Sequence, residues 1–195
     1  MKTIRKIFII SLMLAGPLIR AQWISPDAFW TAGVKVGTPG LGAEVSYHFR
    51  DDLALRVGYQ TFTLKYSDDE FDEDVELKLE TIPIVVDWYP GQGRFRFSAG
   101  LFHNGSYVEV REGNAITELT FDSFAPYLGI GWGVRNTSGN LSLTSDIGLL
   151  FQGSGSARGS GSDPRTVREN IESMEDLGDA LSIYPVLTIG LTYRF

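Results

Sequence analysis

The final thirteen residues, Ile183 to Phe195, read IYPVLTIGLTYRF and decide how this chain folds. Every odd position of the stretch carries Ile, Pro, Leu, Tyr or Phe, whereas Thr, Gly and Arg occur only at even positions. Apolar residues at every second position predict a β-strand with one apolar face. Tyr193 and Phe195 end that face with two aromatic rings, which is typical of the interfacial girdle of a membrane-spanning strand.

Seven further segments alternate in the same way and predict seven more strands. In the fourth of them the apolar side chains change from odd to even positions after Leu79, which predicts a bulge near Glu80 and Thr81. The seven predicted strands cover residues 30–36, 41–49, 53–66, 75–89, 95–110, 126–135 and 141–151.

The lengths of the connections support a barrel. Membrane barrels alternate short periplasmic turns with long extracellular loops, and an even number of strands places both termini in the periplasm. The short hairpin at 37–40 is the exception to the alternation. The sequence therefore predicts an all-β fold, an eight-stranded antiparallel up-and-down transmembrane β-barrel. The short connections are 50–52, 90–94 and 136–140, and the long ones are 67–74, 111–123 and 152–182.

The amino terminus has the features of a secretory signal peptide. Lys2, Arg5 and Lys6 precede an apolar stretch at 7–14, and Ile19-Arg20-Ala21 before Gln22 forms the predicted cleavage site. The apolar stretch is too short to span a membrane as a helix, which takes about 20 residues. We therefore expect residues 1–21 to be the signal peptide and residues 22–195 to form the barrel domain.

Composition excludes several classes of function. The chain has no Cys, which rules out a disulfide framework, a thiol nucleophile and a Cys-ligated metal. Removal of the signal peptide takes away four cations, Lys2, Arg5, Lys6 and Arg20, and moves the formal net charge from -7 to -11. An acidic exported protein is a poor partner for nucleic acid, so none is expected.

The predicted barrel is expected to be closed inside. Eight strands leave an interior just wide enough to be filled by side chains. The inward positions carry charges of both signs, and buried charges have to be paired or hydrogen-bonded. We favour a polar network that fixes the register over a conducting pathway. The predicted network consists of Lys35, Glu44, His48, Arg56, Asp87, Arg96, Arg135, Asp146 and Arg194.

The segment 67–76, SDDEFDEDVE, contains seven carboxylates. Hard divalent cations bind carboxylate oxygens, but the segment lacks the glycine and the spacing of a calcium loop. A solvated acidic loop is the favoured interpretation, and no cofactor is expected. The weak candidates for metal ligands are Asp68, Asp69, Glu70, Asp72, Glu73 and Asp74.

The last long connection combines a linker and a helix. Residues 153–162, GSGSARGSGS, have the composition of a flexible linker. Asp163 and Pro164 then predict a helix start, and Gly178 predicts its end. The helix could cover the barrel mouth or bind a partner, or its apolar stripe could pack on the barrel rim. That stripe consists of Val167, Ile171, Met174 and Leu177.

Enzymatic chemistry is not expected. The chain has two histidines, and the spacing of His103 and Ser106 places them on opposite faces of a strand. His48 points inward beside Glu44, as a core residue would. No arrangement of nucleophile, base and orienting group follows from the sequence.

The combination of signal peptide, alternation and terminal YRF resembles the small eight-stranded bacterial outer-membrane barrels of the OmpA and OmpX type. The resemblance implies that Leu191, Tyr193 and Phe195 form a signal for the barrel-assembly machinery. It also implies a Gram-negative outer membrane as location, with membrane lipids and lipopolysaccharide as neighbours. Envelope integrity or surface adhesion is the implied role, with an unidentified extracellular partner. A small-solute channel and a lipid A-modifying enzyme are the alternatives, and we expect a monomer.

Strand parity predicts which connections face outward. An epitope inserted at Asp69 should be labelled on intact cells, because residues 67–74 form an extracellular loop. An epitope at Gln92 should be labelled only after permeabilisation, because 90–94 is a periplasmic turn. The reverse pattern would show that the strand count is wrong.

Overall fold

The computed structural model describes residues 24–68, 73–112, 115–135, 139–161 and 164–195, so the predicted signal peptide lies outside it. Within these ranges the chain forms eleven strands, one α-helix and one 3-10 turn. The strands are β1 (Phe29–Gly37), β2 (Gly40–His48), β3 (Leu53–Asp68), β4 (Glu73–Trp88), β5 (Phe95–Asn104), β6 (Tyr107–Glu112), β7 (Ala115–Thr120), β8 (Phe124–Trp132), β9 (Leu141–Phe151), β10 (Ser156–Ser160) and β11 (Ile183–Arg194). The α-helix is α1 (Pro164–Ala180), and the 3-10 turn is Pro90–Gln92.

Eight of the strands close an antiparallel barrel. The order around it is β1, β2, β3, β4, β5, β8, β9 and β11, and β11 returns to pair with β1. In that closing ladder Ala32 lies opposite Tyr193 and Val34 lies opposite Leu191. The predicted fold class, an eight-stranded barrel with a helix in the last long connection, is confirmed.

A second unit, here called the lobe, stands on one end of the barrel. It consists of β6, β7, β10, α1 and the distal parts of β3 and β4, residues 62–68 and 73–79. β6 pairs with β4, β7 with β6, and β10 with β7, so the lobe continues the barrel sheet without interruption. We call this end of the barrel the lobe end and the other, with the short connections, the turn end.

The predicted strand 95–110 is divided in two. β5 ends at Asn104, and β6 resumes at Tyr107 in the same register on β4. Between them the backbone nitrogen of Gly105 donates to the carbonyl of Glu80 over 2.8 Å. The hydroxyl of Ser106 accepts the backbone N–H of Glu80 over 3.1 Å. The break therefore costs β4 no hydrogen bond at Glu80.

The predicted bulge near Glu80 and Thr81 is wrong. The pairing of β3 with β4 keeps one register from the Leu53 and Trp88 pair to the Asp68 and Glu73 pair. The apolar residues change face because their surroundings change. Within the barrel they point outward, and in the lobe they occupy the face that continues the lumen.

The outer surface of the barrel is apolar and carries an aromatic girdle at the turn end. The rings of Trp30 and Tyr47 stack with centroids 4.5 Å apart, and those of Tyr193 and Phe195 meet edge to face at 5.2 Å. Soluble monomers rarely expose an apolar surface that is continuous around the molecule. Among the described helices none has the length and apolar character needed to cross a membrane.

Helix α1 packs against the sheet of the lobe rather than standing free. A Cβ atom at Gly159 would lie 2.7 Å from Cγ1 of Val167, so the glycine allows the helix to approach β10 closely. Met174 is buried, whereas Leu177, predicted for the same stripe, is 43% exposed. The sequence left three roles open for the helix. In the structure its apolar stripe packs on the lobe, which extends the barrel rim. The predicted start at Asp163 lies outside the described residues.

Leu119 should hold the helix on the lobe. It is fully buried and contacts Gly155 of the linker and Gly178 of α1. We expect Leu119→Ala to lower the free energy of unfolding of the lobe by about 2–5 kcal/mol, as large-to-small core changes do. Amide hydrogen exchange in α1 should accelerate while exchange in the barrel strands is unchanged.

The matched control is Ile116→Ala, on the exposed face of the same strand, with an expected cost below about 1 kcal/mol. Equal exchange rates of α1 in both variants would contradict this account of the packing.

Candidate functional site

Six of the nine charged residues predicted for the lumen come together in one cluster, here called the central network. It contains three cations and three anions, so the formal charges balance. Each side chain is less than 10% exposed. The members are Lys35 of β1, Glu44 of β2, Arg56 of β3, Asp87 of β4, Arg96 of β5 and Asp146 of β9.

Asp146 is the hub of the central network. Its Oδ2 accepts from Nζ of Lys35 at 2.5 Å and from Nη1 of Arg56 at 3.0 Å. Its Oδ1 accepts from Nη2 of Arg96 at 2.5 Å, and the hydroxyl of Thr188 adds a bond of 3.2 Å. One carboxylate thereby joins strands from opposite sides of the barrel.

The two other anions complete the charge pairing. Asp87 accepts from Nη2 of Arg56 at 3.0 Å and from the hydroxyl of Ser98 at 2.5 Å. Glu44 lies 2.8 Å from Nζ of Lys35. Burial of these charges is tolerable because each has a partner of opposite sign within hydrogen-bond distance.

The remaining three predicted residues lie apart from the central network, around Phe29 at the turn end. His48 stacks on the Phe29 ring at 4.2 Å, and the guanidinium of Arg194 lies 3.7 Å from the same ring. Arg135 pairs with Asp51 at 3.1 Å. These contacts form a second layer that closes the turn end with an aromatic ring between cations.

An apolar layer, not singled out from the sequence, fills the lumen on the lobe side of the central network. Phe102 and Tyr127 form its centre, with ring centroids 4.9 Å apart. The phenol of Tyr127 occupies the space that a Cβ atom would need at Gly129 and Gly148. In the sequence, the signal that could have predicted this layer is the presence of two inward glycines beside an inward tyrosine. The layer consists of Val85, Phe102, Ala125, Tyr127, Leu150 and Val186.

The lumen between these layers is filled. The cavity between the central network and the apolar layer measures about 20 Å³. One water molecule needs roughly 10–15 Å³ by the same measure, so the space holds about one. A solute would have to displace both the ion pairs and the aromatic rings to pass.

A second apolar space, here called the mouth pocket, lies where the barrel meets the lobe. Its floor is Leu150 of the apolar layer, and its walls come from β4, β6 and the ends of the last long connection. No charged side chain is among its described lining residues. They are Pro39, Leu77, Leu79, Thr81, Ser106, Tyr107, Val108, Phe121, Leu150, Gln152, Leu181 and Tyr184.

The outer face of the lobe is polar, in contrast to the outer face of the barrel. Lys65 pairs with Glu76 at 2.9 Å, and Lys78 pairs with Glu80 at 2.6 Å. The hydrogen bond from Lys65 lowers the pKa of Glu76, and the same bond raises the pKa of Lys65. Pairs this exposed add little stability but mark a surface that is in water.

The acidic segment lies partly outside the described residues, which exclude 69–72 and with them Asp69, Glu70 and Asp72. Asp68 and Glu73 pair in the backbone ladder of β3 and β4, and Asp74 is exposed. Within the described ranges, no group of three or more His, Asp or Glu side chains could hold a metal ion.

The structure does not bring His103 and Ser106 together as a catalytic pair. Nδ1 of His103 lies 3.0 Å from the carbonyl of Ser123, and its ring stacks on Phe124 at 5.3 Å. Ser106 accepts the backbone N–H of Glu80. Each side chain is engaged with a different partner.

The residues predicted to form an assembly signal lie in β11 and directly after it. Leu191 and Tyr193 are exposed on the outer face, and the backbone nitrogen of Phe195 donates to the carbonyl of Trp30 over 3.0 Å. Their predicted part in recognition by an assembly machinery stays a prediction.

Solved structures share this fold at low sequence identity. CarO2 of Acinetobacter baumannii matches with a TM-score of 0.61 and 18% identity, over 86% of this chain and 98% of that one. CarO of the same organism gives 0.60 and 16%, over 85% and 97%. A major outer membrane protein of Thermus thermophilus gives 0.52 and 17%, over 86% and 99%. No protein-family model and no curated protein matches the chain.

Among the lumen positions, a substitution at Asp146 should destabilise the barrel most. We expect Asp146→Asn to lower the free energy of unfolding by about 3–5 kcal/mol, because it leaves buried cations without their shared anion. Urea titration of the protein folded into lipid vesicles measures the change.

Asp51→Asn is the matched control, since it breaks a pair that is half exposed and should cost at most about 1 kcal/mol. Similar costs for both variants would contradict the assignment of Asp146 as the hub.

Proposed function

We propose that this protein is an integral barrel of the bacterial outer membrane, with the lobe outside the cell and both termini in the periplasm. Its neighbours are then membrane lipids and lipopolysaccharide. Support for the location comes from the apolar outer face, the aromatic girdle at the turn end and the fold shared with outer-membrane proteins. The C-terminal residues Leu191, Tyr193 and Phe195 would serve assembly.

A reversal of polarity along β3 and β4 supports the placement of the lobe in water. Below the Thr61 and Glu80 pair, Val57 and Ile84 face outward, as lipid requires. Beyond that pair the outward positions carry charges such as Lys65, and the apolar side chains face inward. The membrane boundary would lie near this pair, with the lobe above it.

The filled lumen is the observation that carries the functional proposal. A barrel closed by ion pairs and an apolar layer is unsuited to diffusion of solutes, so its activity is assigned to the surface it presents. The lobe offers a sheet held by a continuous ladder and a docked helix. We assign it a non-enzymatic role in surface interaction or envelope integrity, as a monomer.

Planar-bilayer recording tests the closed lumen. The purified full chain should show no steady conductance above that of bilayers treated with detergent alone, because no continuous aqueous path crosses the central network. A porin reconstituted in the same way provides the positive control. Reproducible conductance steps from this chain would overturn the proposal and favour a small-solute channel.

A further inference from the structure

The mouth pocket is narrow and apolar. About 40 Å³ of the pocket is open to the centre of a water molecule. That is room for about three waters. A space of this volume fits a short chain and is too small for a fused ring system.

One polar atom in the pocket lacks a partner. Thr81 is 4% exposed, and its Oγ1 has no hydrogen-bond partner among the described residues. Leaving a buried hydroxyl unsatisfied costs free energy, so the site favours a ligand that supplies the missing bond.

The other polar groups around the pocket are engaged. Gln152 donates to the carbonyl of Leu181 at 2.9 Å and accepts from Asn104 at 3.1 Å. The hydroxyl of Tyr184 donates to the carbonyl of Thr38 at 2.8 Å, and that of Tyr107 donates to Glu76 at 3.1 Å. The hydroxyl of Ser106 accepts the backbone N–H of Glu80 at 3.1 Å. Among the described lining residues, Thr81 is thus the polar side chain without a hydrogen-bond partner.

We propose that the mouth pocket binds a neutral, unbranched apolar molecule with one terminal hydroxyl or carbonyl group, which Thr81 hydrogen-bonds. The apolar chain packs between Leu77, Leu79 and Val108 of the lobe and Leu150 of the floor. This is a small-molecule site, and it does not require the macromolecular partner implied by a role in surface interaction.

Charge argues for a neutral ligand. Among the described lining residues, no cation can pair with a carboxylate or phosphate, and no anion can pair with an amine. Burying an unpaired charge there would be far more costly than burying a hydroxyl. The excess of carboxylates in the segment 67–76 disfavours an anion further.

An apolar strip leads to the pocket. Phe62 and Leu64 of β3 lie directly opposite Leu79 and Leu77 of β4, on the same face of the sheet. Phe62, Leu64 and Tyr66 remain exposed and extend this face away from the barrel. A ligand arriving from the lobe end would meet this strip before entering the pocket.

The test uses the full mature chain in lipid nanodiscs with ¹³C-labelled leucine and valine methyl groups, titrated with 1-hexanol. We expect saturable shifts at the methyls of Leu150 and Leu181. Hexanoate and 1,6-hexanediol should bind at least several-fold more weakly, because each adds a polar group with no partner in the pocket.

Two variants locate the site. Thr81→Val keeps the shape but removes the hydroxyl, and should weaken hexanol binding about 2- to 10-fold, the equivalent of one neutral hydrogen bond. Leu79→Phe should fill the pocket and abolish saturation. Leu143→Phe is the matched control, because Leu143 is exposed on the outer face of β9 and lies outside the pocket lining, and should bind as the parent chain does.

Each variant is first checked for a difference in gel migration between heated and unheated samples in detergent. Variants that do not fold into a barrel are thereby left out of the binding comparison. Shifts that rise linearly and equally in the parent chain and in Leu79→Phe would indicate partition into lipid and overturn the proposal. Equal affinity for hexanol and hexanoate, or unchanged hexanol affinity in Thr81→Val, would also overturn it.

Discussion

The closure of the backbone ladder between β1 and β11 is the constraint on which the rest of this structure depends. In an apolar solvent every backbone N–H and C=O group has to be bonded within the protein, and a sheet with free edges cannot meet that demand. Pairing Gly37 to Thr188 at one end and Thr31 to Arg194 at the other removes both edges. Once eight strands close, the width of the interior is fixed, and with it the requirement that side chains fill it.

Filling the interior with charge imposes geometry that an apolar core would not. Asp146 satisfies three cations only because β9 stands at the right height relative to β1, β3 and β5. Shifting any one of these strands by a single residue would turn its charged side chain to the apolar outer face. The central network therefore specifies register as well as closing the lumen, and removing one member leaves its partners buried with fewer opposite charges.

Much of the barrel was predictable because a period of two survives in sequence wherever one face meets lipid and the other does not. The change of phase after Leu79 was not, since a bulge and a reversal of polarity leave the same pattern and only the ladder distinguishes them. The segment 153–162 has linker composition, yet 156–160 form β10, because they pair with β7 and Gly159 allows α1 to pack closely on the strand. The apolar layer departs from the alternation, because Phe102, Leu150 and Val186 are apolar residues that point into the lumen.

The sheet exchanges its apolar face between the barrel and the lobe. Its apolar face now points toward the axis of the barrel and needs a cover. Over β7 and β10 that cover is α1, whereas along β3 the side chains of Phe62, Leu64 and Tyr66 stay exposed. The uncovered strip and the mouth pocket are therefore two parts of one surface. Both arise because β3 and β4 continue beyond the barrel and carry the sheet into the lobe.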